Sequence, residues 1–555
     1  MKPHFIITGI ALLLLTANSL MVTAQNPVEY LSANNVLAPI CIGGNLFYSN
    51  DTSVHVSAIY QVPKGSNIPS VFTSALWLTA TDANGNLRCA AQRYCYNGHD
   101  FFDGPINSNA IYDNAYDAFF KRVFKVTRNQ IEQYKADFLI NGTNLNIADV
   151  DPAIRYWPAR GNSHITTTYG VSINSRLAPF IDTDGDGNYN PVKGDYPGIC
   201  GDEAIFFVFN DVRAIHGETG GMPLSVEVRG LAEVYVDSLS AGGNTTVFEK
   251  RAINNTTFVK YEIENKSLNP LTDIKVGLFY DMDLGCYSND GIACDTSRNL
   301  IFAYNRVAYD ADCQGVTGYR NIKAATGVVL LNGRYSSAGG FVNGALEGYN
   351  DPVSPAEFYY YNNGLWANGE PYIRGDGDTT VFVNCGQITD PDVHVTIPTG
   401  TGLSGDKRMV GVTAGDNLMP GQIKMLDYAF FASYDSTATN FTIVDTLRRD
   451  ADVVQSFYNN TIVPCRAAIG TGITKTDDRL LQVSVYPNPA SSQLVIETPG
   501  AITRLQLTNM LGQVVLALPG NSTKQVIDVS GLAKGIYLLN VKAGSKEAVL
   551  KVVIE

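Results

Sequence analysis

Apolar and polar residues alternate along most of this chain in short runs that turn residues cut off. Ser74-Ala-Leu-Trp-Leu-Thr-Ala80 alternates and leads into Asp82-Ala-Asn-Gly85, a hairpin signal. Phe258-Val-Lys-Tyr-Glu-Ile-Glu264 alternates again and stops at Asn265. Met419-Pro420-Gly421 puts Pro and Gly at the central positions of a type II turn, and Ile423 to Phe431 follows as a strand. One segment keeps a helical period instead. Thr127-Arg-Asn-Gln130 is a capping-box pattern, after which Ile131, Tyr134 and Phe138 fall on one face.

The end of the chain repeats the strand pattern on a smaller scale. Leu481, Val483 and Val485 alternate with Gln482 and Ser484 until Pro487-Asn488-Pro489 interrupts. Leu494/Ile496, Leu505/Leu507, Val526-Ile527, Ile536–Val541 and Val549–Ile554 are further strand candidates. The chain is therefore expected to be all-β: a multi-domain β-sandwich-like body over 25–470 with a minor helical insertion, a linker at 471–480, and a small Ig-like β-sandwich over 481–555.

The beginning reads as an address. Lys2 precedes an almost wholly apolar stretch from Phe5 to Leu15, and Val22-Thr23-Ala24 offers small residues for cleavage, so residues 1–24 are expected to be a signal peptide with a mature start near Gln25. No other stretch reaches the ~18 apolar residues of a transmembrane helix. Gly470-Thr-Gly-Ile-Thr-Lys-Thr-Asp-Asp478 is polar and turn-rich, the expected linker and cleavage zone.

Composition narrows the classes. A 45% apolar content supports a real core, and a net charge of −13 disfavours non-specific nucleic-acid binding, which needs a basic footprint. The 30 tyrosines, 51 glycines and only 17% charged residues suit an exported β protein rich in turns. All nine cysteines lie before residue 470, and export permits disulfides. Cys89/Cys95 and Cys286/Cys294 are the natural local pairs, although spacing does not fix connectivity. Without a Cys-x-x-Cys, zinc-ribbon and thioredoxin chemistry are disfavoured.

The best chemical motif is Asp182-Thr-Asp-Gly-Asp-Gly-Asn-Tyr-Asn190. Carboxylates at every second position followed by Gly187 match the first half of a Ca²⁺ loop. Asp182, Asp184 and Asp186 would supply carboxylates and Asn188 its carbonyl. Lys193 stands where a bidentate Glu is usual, so Asp195 is the expected replacement, with Asp202 a more distant choice. Three clustered carboxylates repel unless an ion neutralises them, which makes a structural Ca²⁺ the expected cofactor; the competing reading is a solvated acidic turn. A second acidic group, Asp281, Asp283, Asp290 and Asp295, is bracketed by Cys286 and Cys294. It reads either as a disulfide-pinned polar loop or as a metal or glycosidase site. Gly375-Asp-Gly-Asp378 reads as a turn. Six scattered histidines form no zinc-protease motif, and no nucleophile elbow, P-loop or dinucleotide fingerprint is present. Trp77, Trp157 and Trp366 can stack on sugars or fill a core.

Leu511-Gly512-Gln513, Ile527-Asp528-Val529-Ser530-Gly531-Leu532 and Lys534-Gly535-Ile536-Tyr537-Leu538 occur in an order that closely resembles the type A C-terminal sorting domain of the Bacteroidota type IX secretion system. The resemblance implies recognition of 481–555 by the outer-membrane translocon and sorting machinery. It also implies removal of that segment, with attachment to anionic lipopolysaccharide as a possible fate. Leu76-Trp77, Gly98-His-Asp-Phe-Phe-Asp-Gly-Pro105, Trp157-Pro158, Ala178-Pro-Phe-Ile-Asp182, Gly194-Asp-Tyr-Pro197, Asn210-Asp211 and Asp281-Met-Asp-Leu-Gly285 resemble a group of type IX cargo proteins with no established activity. The leading expectation is a non-enzymatic surface protein of adhesion, matrix or envelope. A secreted hydrolase using Asp281, Asp283 and Asp295 and a glycan-binding module using Trp366 are the alternatives. A concave pocket with two carboxyl groups ~5–9.5 Å apart favours the hydrolase; acidic groups tied into loops favour the structural reading.

Overall fold

The alternating runs become strands in the computed structural model, which describes residues 27–48, 60–94, 98–107, 109–236, 247–396, 405–469, 483–498, 500–509, 514–544 and 546–555. The expected signal peptide and the 471–480 linker lie outside the described residues. Among the described residues, strands account for 39% and helices for 19%, so the fold is mostly β, as the patterning predicts. The described residues form two compact units: one takes in the chain up to Thr127, Thr166–Val171 and Gly201–Tyr458, the other Arg128–Ile165, Ser172–Cys200 and Asn459–Glu555.

The first unit is a sandwich of two antiparallel sheets. In the smaller sheet the order is Tyr335–Val342, Lys407–Thr413, Leu271–Asp281, Thr73–Thr81, Leu87–Ala91, with Asp416–Leu418 also pairing Leu271–Asp281. The larger runs Asp290–Asp295, Leu300–Asn305, Lys323–Leu330, Ile423–Asp435, Thr256–Asn265, Val226–Val234, Glu203–Asn210, Phe102–Asp103, with Phe124–Thr127 also on Glu203–Asn210. One apolar core joins their inner faces. Tyr280 of the smaller sheet meets Phe430 of the larger at 6.1 Å between ring centroids, and its hydroxyl is 2.8 Å from Thr326 Oγ1.

The predicted turns form as read. Gly85 N donates to Asp82 O at 2.9 Å in the first hairpin. Gln422 N donates to Met419 O at 2.9 Å, with Gly421 at φ 75°, the left-handed position a type II turn needs. Gly377 turns the chain between Tyr372–Arg374 and Thr379–Thr380 at φ 89°.

The larger sheet is covered on its outer side, so even its charged residues are buried. Arg229 bonds Glu227 at 3.0 Å, Glu262 at 3.3 Å and Glu264 at 2.7 Å. Helix Thr442–Phe457 lies over it and buries Ile443, Val444, Leu447, Ala451 and Val454, a 3.6-period stripe. Asp450 on that helix accepts from Ser433 Oγ of the sheet at 2.5 Å.

In the second unit, the predicted helix runs Arg128–Asn141 with Ile131 and Tyr134 buried. Phe180–Ile181 pairs with Tyr196–Pro197, so the acidic segment between them is the connection of a small hairpin. The Trp-Pro and Ala-Pro-Phe motifs anchor it: Trp157 Nε1 donates to Pro179 O at 2.8 Å and Tyr189 Oη to Ile154 O at 2.6 Å.

The described residues of 483–555 make seven strands in two sheets. One orders Ser484–Tyr486, Gln493–Glu497, Lys524–Asp528, and the other Val514–Pro519, Ile502–Asn509, Gly535–Ala543, Lys546–Ile554. Leu494, Ile496, Leu505, Leu507, Ile527, Leu539, Val541 and Val552 share one core drawn only from this segment.

The cysteine pairing differs from the local expectation. Cys286 joins Cys313, Cys294 joins Cys385, and Cys200 joins Cys465. Cys294 sits on the Asp290–Asp295 strand, beside which Cys385 makes a parallel bridge, so the strand carries Cys294 to Cys385 and away from Cys286. Cys89 is a buried free thiol, as is Cys41, and Cys95 lies outside the described residues.

Candidate functional site

Asp281 closes the Leu271–Asp281 strand, paired with Arg408 on one side and Thr73 on the other. Asp283 lies in the loop just past the end of this strand and Asp406 just before the start of Lys407–Thr413, so both loop ends meet beside the paired Asp281 and Arg408. The result is a cleft of about 670 Å³ at the end of the smaller sheet. Asp281, Asp283, Asp351, Asp406, Glu218, Arg93 and Arg408 supply its charges, with Phe72, Tyr94 and Tyr287 as aromatic wall.

Asp281, Asp283 and Asp406 each offer a carboxylate oxygen, all within 4.8 Å of one another, a grouping that can hold a metal ion. The Tyr94 hydroxyl donates to Asp281 Oδ2 at 2.6 Å and accepts from Arg408 Nε at 2.5 Å. Arg408 Nη2 lies 3.1 Å from Asp406 Oδ2. Burial drives the Asp281 carboxyl above its ordinary range, only partly offset by Arg408. Burial and then the charges of Asp281 and Asp406 push Asp283 up further. Arg93 holds Glu218 at 2.5 Å and reaches Asp351 at 3.4 Å.

The sequence-predicted acidic group does not assemble as a unit. Asp290 is buried and ties the backbone, accepting from Leu284 N at 3.1 Å. Asp295 lines a different depression with Cys294, Cys385 and Arg448. Burial works against its ionisation, but Ser297, Arg298 and Arg448 outweigh it and hold the carboxyl below its ordinary range. Only Asp281 and Asp283 reach the cleft. Asp406, Arg408, Arg93 and Tyr94 come from segments that sequence reading left unremarked; the signal was the Asp-Lys-Arg run that opens an apolar strand. The three tryptophans are core residues, Trp366 being 1% exposed, which removes it as a sugar platform.

The 182–195 loop is organised by its own carboxylates. Gly185 N and Gly187 N donate to Asp182 at 2.7 and 2.9 Å, and Thr183 N and Asn190 N to Asp195 at 2.7 and 2.8 Å. Asp182, Asp184 and Asp195 offer oxygens within 4.8 Å of one another, so this cluster too can hold a metal ion. Asp186 turns to Lys193, whose Nζ bridges it at 2.6 Å and Asp184 at 2.9 Å. Lys193 holds the Asp184 carboxyl below its ordinary range, whereas burial lifts Asp195 to about 6. Asn188 N donates to Asp186 Oδ1 at 2.8 Å.

Residues 484–555 match the family described as the secretion system C-terminal sorting domain. No curated protein matches the chain. Among solved structures, one described as a polysaccharide lyase is 9% identical with a TM-score of 0.17, over 59% of this chain and 34% of its own. One described as a kojibiose phosphorylase from the human microbiome is 6% identical with a TM-score of 0.26, over 78% of this chain and 35% of its own. One from Escherichia coli K12 described as an aldose 1-epimerase is 8% identical with a TM-score of 0.24, over 74% of this chain and 99% of its own. This chain thus spans about a third of the lyase and of the phosphorylase, and likeness this slight carries no argument about chemistry. No helix among the described residues is long and apolar enough to cross a membrane. The sorting domain gives the destination: the chain is a cargo protein of the type IX secretion system, delivered to the cell surface or beyond.

Proposed function

We propose that the protein works outside the cell as a structural or adhesive surface component, stiffened by Ca²⁺ at Asp182, Asp184 and Asp195, with the cleft around Asp281 as its contact surface. Loss of the sorting domain and attachment to anionic lipopolysaccharide would place the body at the outer surface. The observation that carries the non-enzymatic reading is the fate of the acidic group. Asp295 is spent on Arg298 and Arg448 in another depression, and Asp281 is held between Tyr94 and Arg408. Asp295, held ionised by its arginines, is not poised to donate a proton as a general acid must be, and Asp281 is anchored on both sides by its partners.

One observation favours a hydrolase instead: Asp281 and Asp283 do share a concave site with Asp406. The two readings separate in an activity screen of the purified protein on polysaccharides and casein. The structural reading expects no turnover. Turnover that disappears in Asp281→Asn and Asp283→Asn proteins of unchanged fold would establish the hydrolase.

A further inference from the structure

We infer that Asp281, Asp283 and Asp406 bind a hard divalent cation of the Ca²⁺ class in the cleft, a second site independent of the 182–195 loop. The inference deepens the reading of the cleft as the working surface and rests on that reading only for what the ion would later contact.

The cluster has more than proximity. The Asp281 side chain is 3% exposed, and while Oδ2 is engaged by Tyr94, Oδ1 is enclosed with no hydrogen-bond partner. Asp406 Oδ1 is likewise enclosed and unpartnered. Asp283 makes no side-chain hydrogen bond or ion pair with any described residue. Buried carboxylate oxygens without donors are rare because desolvation goes uncompensated, and each one calls for a partner.

Charge points the same way. Five carboxylates line the cleft against two guanidinium groups. Arg93 is committed to Glu218 and Asp351, and Arg408 is divided among Asp281, Asp351 and Asp406. Among the described lining residues, only the distant charge of Arg408 acts against the surplus at Asp283. A dication between the three aspartates offsets the surplus and supplies the missing partner for Asp281 Oδ1.

The donors define the ion. All three are carboxylates, and the described lining residues include no imidazole or thiolate, which favours Ca²⁺ or Mg²⁺ over zinc or copper. Strand pairing fixes the backbones of Asp281 and Arg408, and Tyr94 orients the Asp281 carboxylate, the arrangement that holds metal ligands in place. Three carboxylates cannot complete the six to eight oxygens Ca²⁺ takes, so the open positions face the cleft and are filled by water or by oxygen atoms of a bound partner.

The test is Ca²⁺ titration by calorimetry into chelator-treated full-length protein carrying Asp182→Asn and Asp184→Asn, which removes the loop as a competing site. One equivalent should still bind. Adding Asp283→Asn and Asp406→Asn should weaken that event by ~10-fold or more, since affinity follows ligand charge. Asp351→Asn, a lining position outside the cluster, should leave it close to unchanged. Anomalous scattering from Tb³⁺ soaked into crystals of the unsubstituted protein gives a readout independent of variant folding, with a peak expected between the three aspartates. No binding in the loop variant, binding indifferent to Asp283 and Asp406, or a Tb³⁺ peak only at 182–195 each overturns the inference. Failure of adhesion with the cation bound would instead count against the proposed function alone.

Discussion

Arg408 stands directly opposite Asp281 on the neighbouring antiparallel strand, its Nε 3.5 Å from Asp281 Oδ2, and both side chains are almost fully enclosed. Removing one member of such a buried pair leaves the other charge uncompensated, a loss of about 3–5 kcal/mol. Arg408→Met, which keeps much of the volume, should therefore destabilise the body by roughly that amount in chelator. Added Ca²⁺ should recover part of it by neutralising the orphaned aspartates. Denaturant titration reads both effects, and a change under about 1 kcal/mol would mean the pair is not part of the core electrostatics.

Lys193 makes the 182–195 loop a competition between an ammonium group and a dication. Its side chain is 44% exposed, so it can leave for solvent when an ion arrives. Chelation should lower the melting temperature, and Ca²⁺ at a hundredfold excess over Kd should stabilise the native state by about 2.7 kcal/mol. Lys193→Gln removes the competitor, so it should enlarge the Ca²⁺-dependent shift while lowering stability in chelator. A loop that stays metal-free would show the second effect without the first.

Much of this architecture is legible in the sequence because short apolar-rich runs end at turn residues, although the strands they form are buried along most of their length rather than at every second residue. Thr73–Thr81, Thr256–Asn265 and Ile423–Asp435 each contain a run recognisable from alternation alone. Helix Thr442–Phe457 carries a 3.6-residue stripe of Ile443, Leu447, Ala451 and Val454, but it sits between strand-rich segments, where that period stands out less than the strand pattern around it. The cleft was half legible. Asp281 and Asp283 stand out as a pair, but Asp406 and Arg408 meet them only through strand pairing, which local sequence does not encode. Disulfides fail for the same reason: Cys294 finds Cys385 across 91 residues because a strand delivers it there.

Asp450 gives a pH signature away from either cation cluster. Burial holds its carboxyl up at about 6 against an ordinary 3.8, despite Ser433, Arg251 and Arg449 nearby. Between these values the unfolded chain has released a proton that the folded chain keeps. Stability therefore falls as pH rises from about 4 to about 6, and the loss is complete above that. Asp450→Asn keeps an acceptor for Ser433 and has no charge to bury. The substituted protein should gain up to about 3 kcal/mol over the parent at pH 7.5, and the two should converge near pH 4. Parallel denaturation curves at every pH would refute the assignment.

Processing should cut between the two features that flank residues 470–482. Upstream, Cys465 is bonded to Cys200, and Gly198 packs so closely on Ile469 that a Cβ there would lie 2.6 Å from its Cγ2. The chain up to Ile469 is thereby stapled to the 196–200 segment. Downstream, the sorting domain closes a core of its own that uses no residue before it. A cut in 471–480 separates two finished structures and exposes neither core. Intact-mass measurement of the surface form should give a start near Gln25 and an end within 470–480, and the released body should melt as the uncut protein's body does. Reducing agent should leave the 201–458 sandwich assembled while freeing 463–469 to proteolysis, because only the Cys200–Cys465 bond fixes that helix covalently. A surface form that retains Glu555, or a 463–469 segment still protected after reduction, would contradict this division.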